Sequence, residues 1–384
     1  MRIICCVLAL AAVMSCPPPA AGEANQGVAV SRSFDIPLID LSQETDRHVI
    51  VAAGTESVYQ GHPTTVLLPD GKTMFAVWTH GHGGPCGPMK KSTDGGKTWS
   101  DPLPTPDSWT RVRNCPTIYR LVDPEGKARL FVFAIKDDGL VSSYSEDDGT
   151  TWTPMRPIDG LNMTRIVMPW CTIVPIDGGR KLLASTNARR PGDPDRYSNI
   201  LIQSISTDGG LTWGPARVIG DLPGFKLCEP CIVRSPDGKQ LLCLIRENVR
   251  QVNARFIVSD DEGRTWSEPK FLQGALTGDR HQARYAPDGR LVVVFRDMAA
   301  GSPTRGHFVG WVGTYDDIIH QRQGQYRLKL LHNYAATDCG YPGLELLPDG
   351  TFVATTYIKY WPDQRKHSVI STRFKLDELD QRVK

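Results

Sequence analysis

The residues best equipped for chemistry gather where a polar or titratable group interrupts an apolar, strand-like run. Six such points read Gln60-Gly61-His62-Pro63, Arg113-Asn114-Cys115-Pro116, Val167-Met168-Pro169-Trp170, Cys228-Glu229-Pro230-Cys231, Asp279-Arg280-His281-Gln282 and Gly340-Tyr341-Pro342. A glycine-rich stretch, Thr79-His80-Gly81-His82-Gly83-Gly84, adds two imidazoles, whose ordinary pKa suits a general acid or base near neutral pH. His80 and His82 have a plainer reading as members of a mobile surface loop, and His62 and His281 as satisfied lining groups. Thr277-Gly278-Asp279-Arg280-His281 and Arg296-Asp297 are expected to form a further polar cluster facing the same pocket. Cys228 and Cys231 have metal-ligand spacing, but no second CxxC or HxxxH accompanies them. They read as buried strand cysteines, and neither a metal nor a cofactor is expected.

The elements that must position these residues are announced by two repeats. Ser-x-Asp-x-Gly-x-Thr-Trp occurs unchanged at 92–99, 145–152, 206–213 and 259–266. Its aspartate (Asp94, Asp147, Asp208, Asp261) can accept backbone N–H bonds, its glycine can take a positive φ, and its tryptophan can pack under a hairpin. An apolar strand, an acidic-glycine turn and a second apolar strand recur six times, with turns ending at Gly71, Gly126, Gly178, Gly238, Gly289 and Gly350. A period of roughly 50–60 residues with several strands and no long helical pattern indicates an all-β, six-bladed β-propeller. Residues 33–52 are expected to supply a strand that closes the last blade, with the tail near 368–376 supplying another.

The chain has 384 residues, with 44 basic and 42 acidic side chains and a net charge of +2, which gives no field suited to nucleic acid. Residues 1–26 read as an export signal: Arg2 is the positive region, and the apolar stretch 3–13 is too short to span a bilayer. Val13-Met14-Ser15-Cys16 resembles a lipobox, which would put a lipid anchor on Cys16, the one membrane attachment considered; ordinary cleavage near 20–24 is the alternative. The protein is therefore expected to be exported, to the periplasm, the cell envelope or the medium, as a monomer with one domain over 30–384. Seven cysteines lie beyond the signal, so at least one is unpaired even in an oxidising compartment.

Together the Asp boxes (the Ser-x-Asp-x-Gly-x-Thr-Trp loops) and the six repeats resemble the sialidase superfamily over essentially the whole mature chain. The resemblance implies that Tyr341 is a nucleophile, Glu229 its base, Arg246 a carboxylate-binding arginine, and Arg305 a second, with Arg296 the less favoured substitute. Such a tyrosine, deprotonated by a glutamate, attacks an anomeric carbon that already bears a carboxylate, where a carboxylate nucleophile would be repelled. Two departures stand out. Gly61 occupies the place of the family's first arginine, with Gln60 and His62 the nearest polar groups, and no acid lies between Thr79 and Met89, where the family's acid/base aspartate belongs.

Three functions follow as expectations. The first is an exo-glycoside hydrolase releasing a terminal acidic sugar, sialic acid or a related carboxylated sugar, from a glycan by a retaining Tyr/Glu mechanism. There His80 or His82 would be the acid, and His62 and His281 would join the arginines in binding substrate. The second is a uronate-directed polysaccharide lyase using histidine and tyrosine. The third is a non-catalytic glycan-binding propeller in which Trp109, Trp170 and Trp361 stack on sugar faces.

Overall fold

A computed structural model describes residues 34–195, 197–363 and 365–383; the export signal and Cys16 lie outside them. Six sheets radiate around one axis. Blade 1 is Gln60–Leu67, Met74–His80 and Cys86–Ser92, and blade 2 is Arg113–Val122, Ala128–Lys136, Gly139–Ser145 and Arg156–Pro157. Blade 3 is Thr172–Ile176, Lys181–Arg189, Asn199–Ser206 and Arg217–Gly220, and blade 4 is Leu227–Arg234, Leu241–Glu247, Arg255–Ser259 and Lys270–Phe271. Blade 5 is Gly278–Tyr285, Leu291–Asp297, Phe308–Gly313 and Tyr326–Leu331, edged by Leu38–Asp40 in parallel. Blade 6 is Cys339–Leu346, Phe352–Ile358 and Ser368–Phe374, and its outermost strand is the N-terminal His48–Ala52. The first and last segments therefore share one sheet, which closes the ring as the sequence led us to expect.

Second strands are buried on both faces, and this explains their unbroken apolar runs. In blade 4, Leu242 and Leu244 pack toward Val293 and Phe295 of blade 5, while Leu241, Cys243 and Ile245 pack toward Leu183 and Leu201 of blade 3. The core is thus a ring of blade-to-blade interfaces rather than a single centre.

The four repeated loops follow the third strands of blades 1 to 4 and form the expected clasps. In each, the serine hydroxyl donates to the aspartate (2.8–2.9 Å) and accepts the glycine N–H (2.8–2.9 Å). Short helices, Tyr315–Ile319 and Leu376–Asp380, follow the third strands of blades 5 and 6 instead. The clasps also lock neighbouring blades. Gly149 (φ +83°) in blade 2 presents its α-carbon to Phe75 of blade 1, where a β-carbon would lie 2.6 Å from the ring. Gly126 has the same left-handed backbone (φ +87°) but open space around it.

The two glycines separate local strain from inter-blade contact. Gly126→Ala should cost about 1 kcal/mol for the left-handed backbone, and Gly149→Ala about 1–3 kcal/mol more for overlap with Phe75. Chemical denaturation of both variants checks this. Equal losses would mean that the loop is not a staple between blades.

Candidate active site

At the head of five inner strands a non-glycine residue turns left-handed: His62 (φ +46°), Cys115 (φ +53°, preceded in blade 2 by a left-handed Asn114, φ +71°), Glu229 (φ +53°), Arg280 (φ +56°) and Tyr341 (φ +52°). Each coincides with a break in register between the first and second strands, between Gly61 and Thr64, Arg113 and Thr117, Cys228 and Cys231, Asp279 and Gln282, and Gly340 and Gly343. These are β-bulges, which re-aim a side chain at the cost of a ladder bond. In four of the five, a proline that cannot donate to the ladder comes next: Pro63, Pro116, Pro230 and Pro342. The bulges bring Glu229 and Tyr341, 112 residues apart, together: the Tyr341 hydroxyl donates to Glu229 Oε1 at 2.7 Å. His62 stacks obliquely on the Tyr341 ring, with centroids 4.3 Å apart.

Guanidinium groups surround this pair. Arg246 Nη1 donates to Glu229 Oε1 (2.7 Å), and its Nε lies 3.2 Å from Asp279 Oδ1 without the alignment of a hydrogen bond. Asp279 Oδ2 also accepts from Arg296 Nη2 (2.6 Å) and Arg250 Nη2 (2.8 Å). Arg280 is fully buried, none of its three guanidinium nitrogens makes a hydrogen bond among the described residues, and its charge lies 6.0 Å from the Tyr341 ring centre. Four guanidiniums thus face two carboxylates, a surplus of two positive charges in a buried place. Burial alone would raise the Glu229 pKa, but Arg246 outweighs it and holds the group below its ordinary value. Burial, and then the Glu229 charge, push the Tyr341 phenol well above its usual value. The shared proton therefore rests on the tyrosine, beside an ionised glutamate.

On the other side of His62 stands His82. Their rings are 4.6 Å apart, and His82 Nδ1 is 3.1 Å from Asp338 Oδ1. Asp338 also accepts from the hydroxyls of Tyr59 (2.9 Å) and Tyr357 (2.9 Å) and lies 3.2 Å from His367 Nε2. Burial would raise the Asp338 pKa; the hydrogen bond from His82, the His367 charge and the Tyr59 hydroxyl together hold it well below the carboxylate range. His62 Nδ1 accepts the Gly83 N–H (3.1 Å) and lies 3.0 Å from Cys115 Sγ, so its proton belongs on Nε2, a buried donor without a partner among the described residues. Burial keeps His62 neutral, with its pKa well below the ordinary value.

Other sequence candidates lie elsewhere. His80 is exposed at the end of its strand, and its ring makes no hydrogen bond among the described residues. Arg305 is exposed and gives its guanidinium to the Met298 carbonyl, so Arg296 is the one that joins the cluster. His281 follows the bulge and turns into the protein, bonded to the Leu276 carbonyl (2.9 Å) with its pKa lowered by burial to about 4. Asp297 likewise faces away from the pocket, toward Thr304 and Arg327. The expected cluster of 277–281 with Arg296-Asp297 is therefore split, with Asp279, Arg280 and Arg296 inside it. Trp109 and Trp170 are fully buried packing groups, unable to stack on a ligand. Cys228 and Cys231 are buried on either side of the Glu229 bulge. The loop at 81–84 is tied down rather than loose, by the Gly83–His62 bond and by Thr79 Oγ1 donating to the Gly81 carbonyl (2.8 Å). Asp338 and Arg250 were not singled out by sequence; nothing local marks them, since their partners come from other blades or from beyond a turn.

Asp279 should carry the stability of the cluster. Asp279→Asn leaves three guanidiniums short of a carboxylate and should cost about 3 kcal/mol or more. Its folded pKa of about 2 lies below the ordinary value, set by Arg246, Arg296 and Arg250 against the opposing effect of burial. Its contribution is thus complete above about pH 4 and is lost as pH falls toward about 2. Denaturation across that window should show a shallower pH dependence in the variant than in the wild type; parallel curves would contradict the assignment.

No family model matches the chain. A sialidase of Micromonospora viridifaciens is 27% identical over 246 residues, covering 58% of this chain and 35% of the relative. The chain thus spans about a third of the length of the curated relative it matches. Among solved structures, a protein of unknown function from Dyadobacter fermentans superposes with a TM-score of 0.68 at 16% identity, covering 85% of this chain and 97% of that one. The NanB sialidase of Streptococcus pneumoniae superposes with a TM-score of 0.59 at 12% identity, covering 86% and 70%. The chain is a six-bladed β-propeller that is similar in sequence to a sialidase over 58% of its length and shares the propeller fold of sialidase structures.

Proposed function

We propose that the protein is a sialidase-type glycosidase that releases a terminal carboxylated sugar with retention of configuration. The observation that carries this reading is the 2.7 Å hydrogen bond from Tyr341 to an ionised Glu229 inside a cluster with surplus positive charge. Glu229 takes the phenol proton as Tyr341 attacks the anomeric carbon, forming a C–O bond to the tyrosine while the bond to the leaving oxygen breaks. Protonated His82, oriented by Asp338, gives its proton to that oxygen. Neutral His82 then takes a proton from water, the water oxygen adds to the same carbon, and the phenolate leaves and recovers its proton from Glu229. The substrate carboxylate meets Arg246, Arg250 and Arg296, where charge-assisted bonds are strong. His62 Nε2–H, a donor the protein itself does not use, stands next to the place where the family's first arginine is missing.

His82 thereby takes over a task for which the blade 1 loop has no carboxylate. Asp338 is held too acidic to protonate a leaving group, so it serves to position the imidazole. A lyase would require Tyr341 to start as the phenolate in order to take the substrate proton, and burial with the Glu229 charge keeps it a phenol, so this pairing favours hydrolysis.

Mass spectrometry of products from sialylated and uronate-containing glycans tests the proposal. Expected are an intact acidic monosaccharide with uptake of water, and loss of at least about a thousandfold in rate for Tyr341→Phe. His82→Ala should lower kcat/KM for sugar leaving groups by roughly a hundredfold while sparing kcat/KM for an aryl leaving group that needs no proton, since the water step comes after the one that kcat/KM reads. An unsaturated uronate product would mean a lyase, and equal losses on both substrates would remove His82 from the acid role.

A further inference from the structure

Beside the catalytic centre, between the heads of blades 2 and 3, lies a cavity of about 370 Å³, lined among others by Gly83, Arg113, Asn114, Asp138, Arg165 and Arg189. It shares a wall with the site. Gly83, which donates its N–H to His62, has room for a β-carbon only 3.5 Å from Asn114 Oδ1 and 3.8 Å from His62 Cε1. Asn114 and Cys115 are left-handed in succession (φ +71° and +53°), so the chain sends Cys115 to His62 and Asn114 to the cavity. Asn114 Nδ2 donates to the carbonyl of Val167, another lining residue, and so joins blade 2 to the approach to blade 3.

The lining is cationic. Three guanidiniums stand against the single carboxylate of Asp138, and the exposed Arg113 and Arg165 make no ion pair among the described residues. Arg189 is placed by Asn199 Oδ1 (3.4 Å) and lies over the Tyr197 ring (5.6 Å). Planar guanidiniums from separate elements around one cavity are suited to a carboxylate or a sulfate ester, each of which accepts paired N–H bonds. The cavity also adjoins the loop that carries His82, through Gly83.

We propose that this cavity is a subsite for an anionic substituent, carboxylate or sulfate, on the sugar that leaves. The identity of the ligand as a leaving group rests on the glycosidase reading; the affinity for an anionic sugar does not. Isothermal titration with galactose 6-sulfate, glucuronic acid and uncharged galactose reads the affinity directly. The anionic sugars should bind roughly tenfold or more tightly than galactose, with the advantage lost in Arg113→Gln/Arg165→Gln. The tighter of the two identifies sulfate or carboxylate as the natural group.

Kinetics supplies the second arm. The double variant should lose roughly tenfold in kcat/KM on a sialoside whose leaving sugar is anionic and nothing on an aryl sialoside, which also shows that the variant is folded. Equal binding of charged and neutral sugars by the wild type, or equal loss on both substrates, would overturn the subsite. Tight binding of the anionic sugar by a wild type that cleaves no sialoside would leave the subsite standing and remove the glycosidase reading.

Discussion

The candidate site of this molecule depends on one backbone event repeated around the axis: a left-handed turn of the chain at a non-glycine residue heading an inner strand. Such a conformation is costly for bulky L-residues, about 1–3 kcal/mol each, and persists where the surroundings over-determine it. Here the surroundings are the blade interfaces, whose apolar layers hold the second strands rigid on both faces. Without the bulge, period-two alternation would carry Glu229 or Tyr341 on along the ladder. With it, side chains from five blades converge, and Tyr341 meets Glu229 across 112 residues of chain. Proline suits the following position, since the ladder bond is already given up.

Convergence creates an electrostatic problem that defines the site. Arg246, Arg250, Arg280 and Arg296 enter one buried region with Glu229 and Asp279 as the facing carboxylates. Asp279 holds three of the four, and Glu229 divides itself between Arg246 and Tyr341. The surplus charge awaits an anion, which matches a substrate whose reacting carbon carries a carboxylate. The same charge keeps Glu229 ionised, as a base must be. In the proposed reaction, carboxylate recognition and activation of the nucleophile would thus share one cause.

Much of this was legible in the sequence. The six acidic-glycine turns and four serine–aspartate loops yield the blades, because each is a local motif with a local physical reason; of the 33–52 segment expected to close the last blade, 48–52 does so and 38–40 edges blade 5 instead. Glu229, Tyr341 and His62 were legible because they interrupt apolar strands at the same point of the repeat, whereas Arg246, near the end of a second strand, came only from the resemblance to sialidases. What sequence could not supply was direction. His80 and His82 are both exposed and lie two residues apart, yet only His82 meets Asp338. Arg280 enters the pocket and His281 leaves it, because the bulge resets the alternation at that residue. Arg296 rather than Arg305 reaches Asp279, since Arg296 lies within a ladder and Arg305 on an exposed turn. Asp338 is 256 residues from His82 and carries no local signal of that pairing.

The central claim is that Tyr341, activated by Glu229, forms a covalent bond to the sugar. It is tested most directly by trapping with a fluorinated carboxylated sugar that bears a good leaving group, in which fluorine beside the anomeric centre slows the second step. Intact-mass and peptide mass spectrometry after rapid quenching read the outcome. The account predicts one added sugar on the peptide containing Tyr341, absent in Tyr341→Phe and slow to form in Glu229→Gln. Release of the fluoride-free leaving group with no adduct, or an adduct on any other residue, would contradict it.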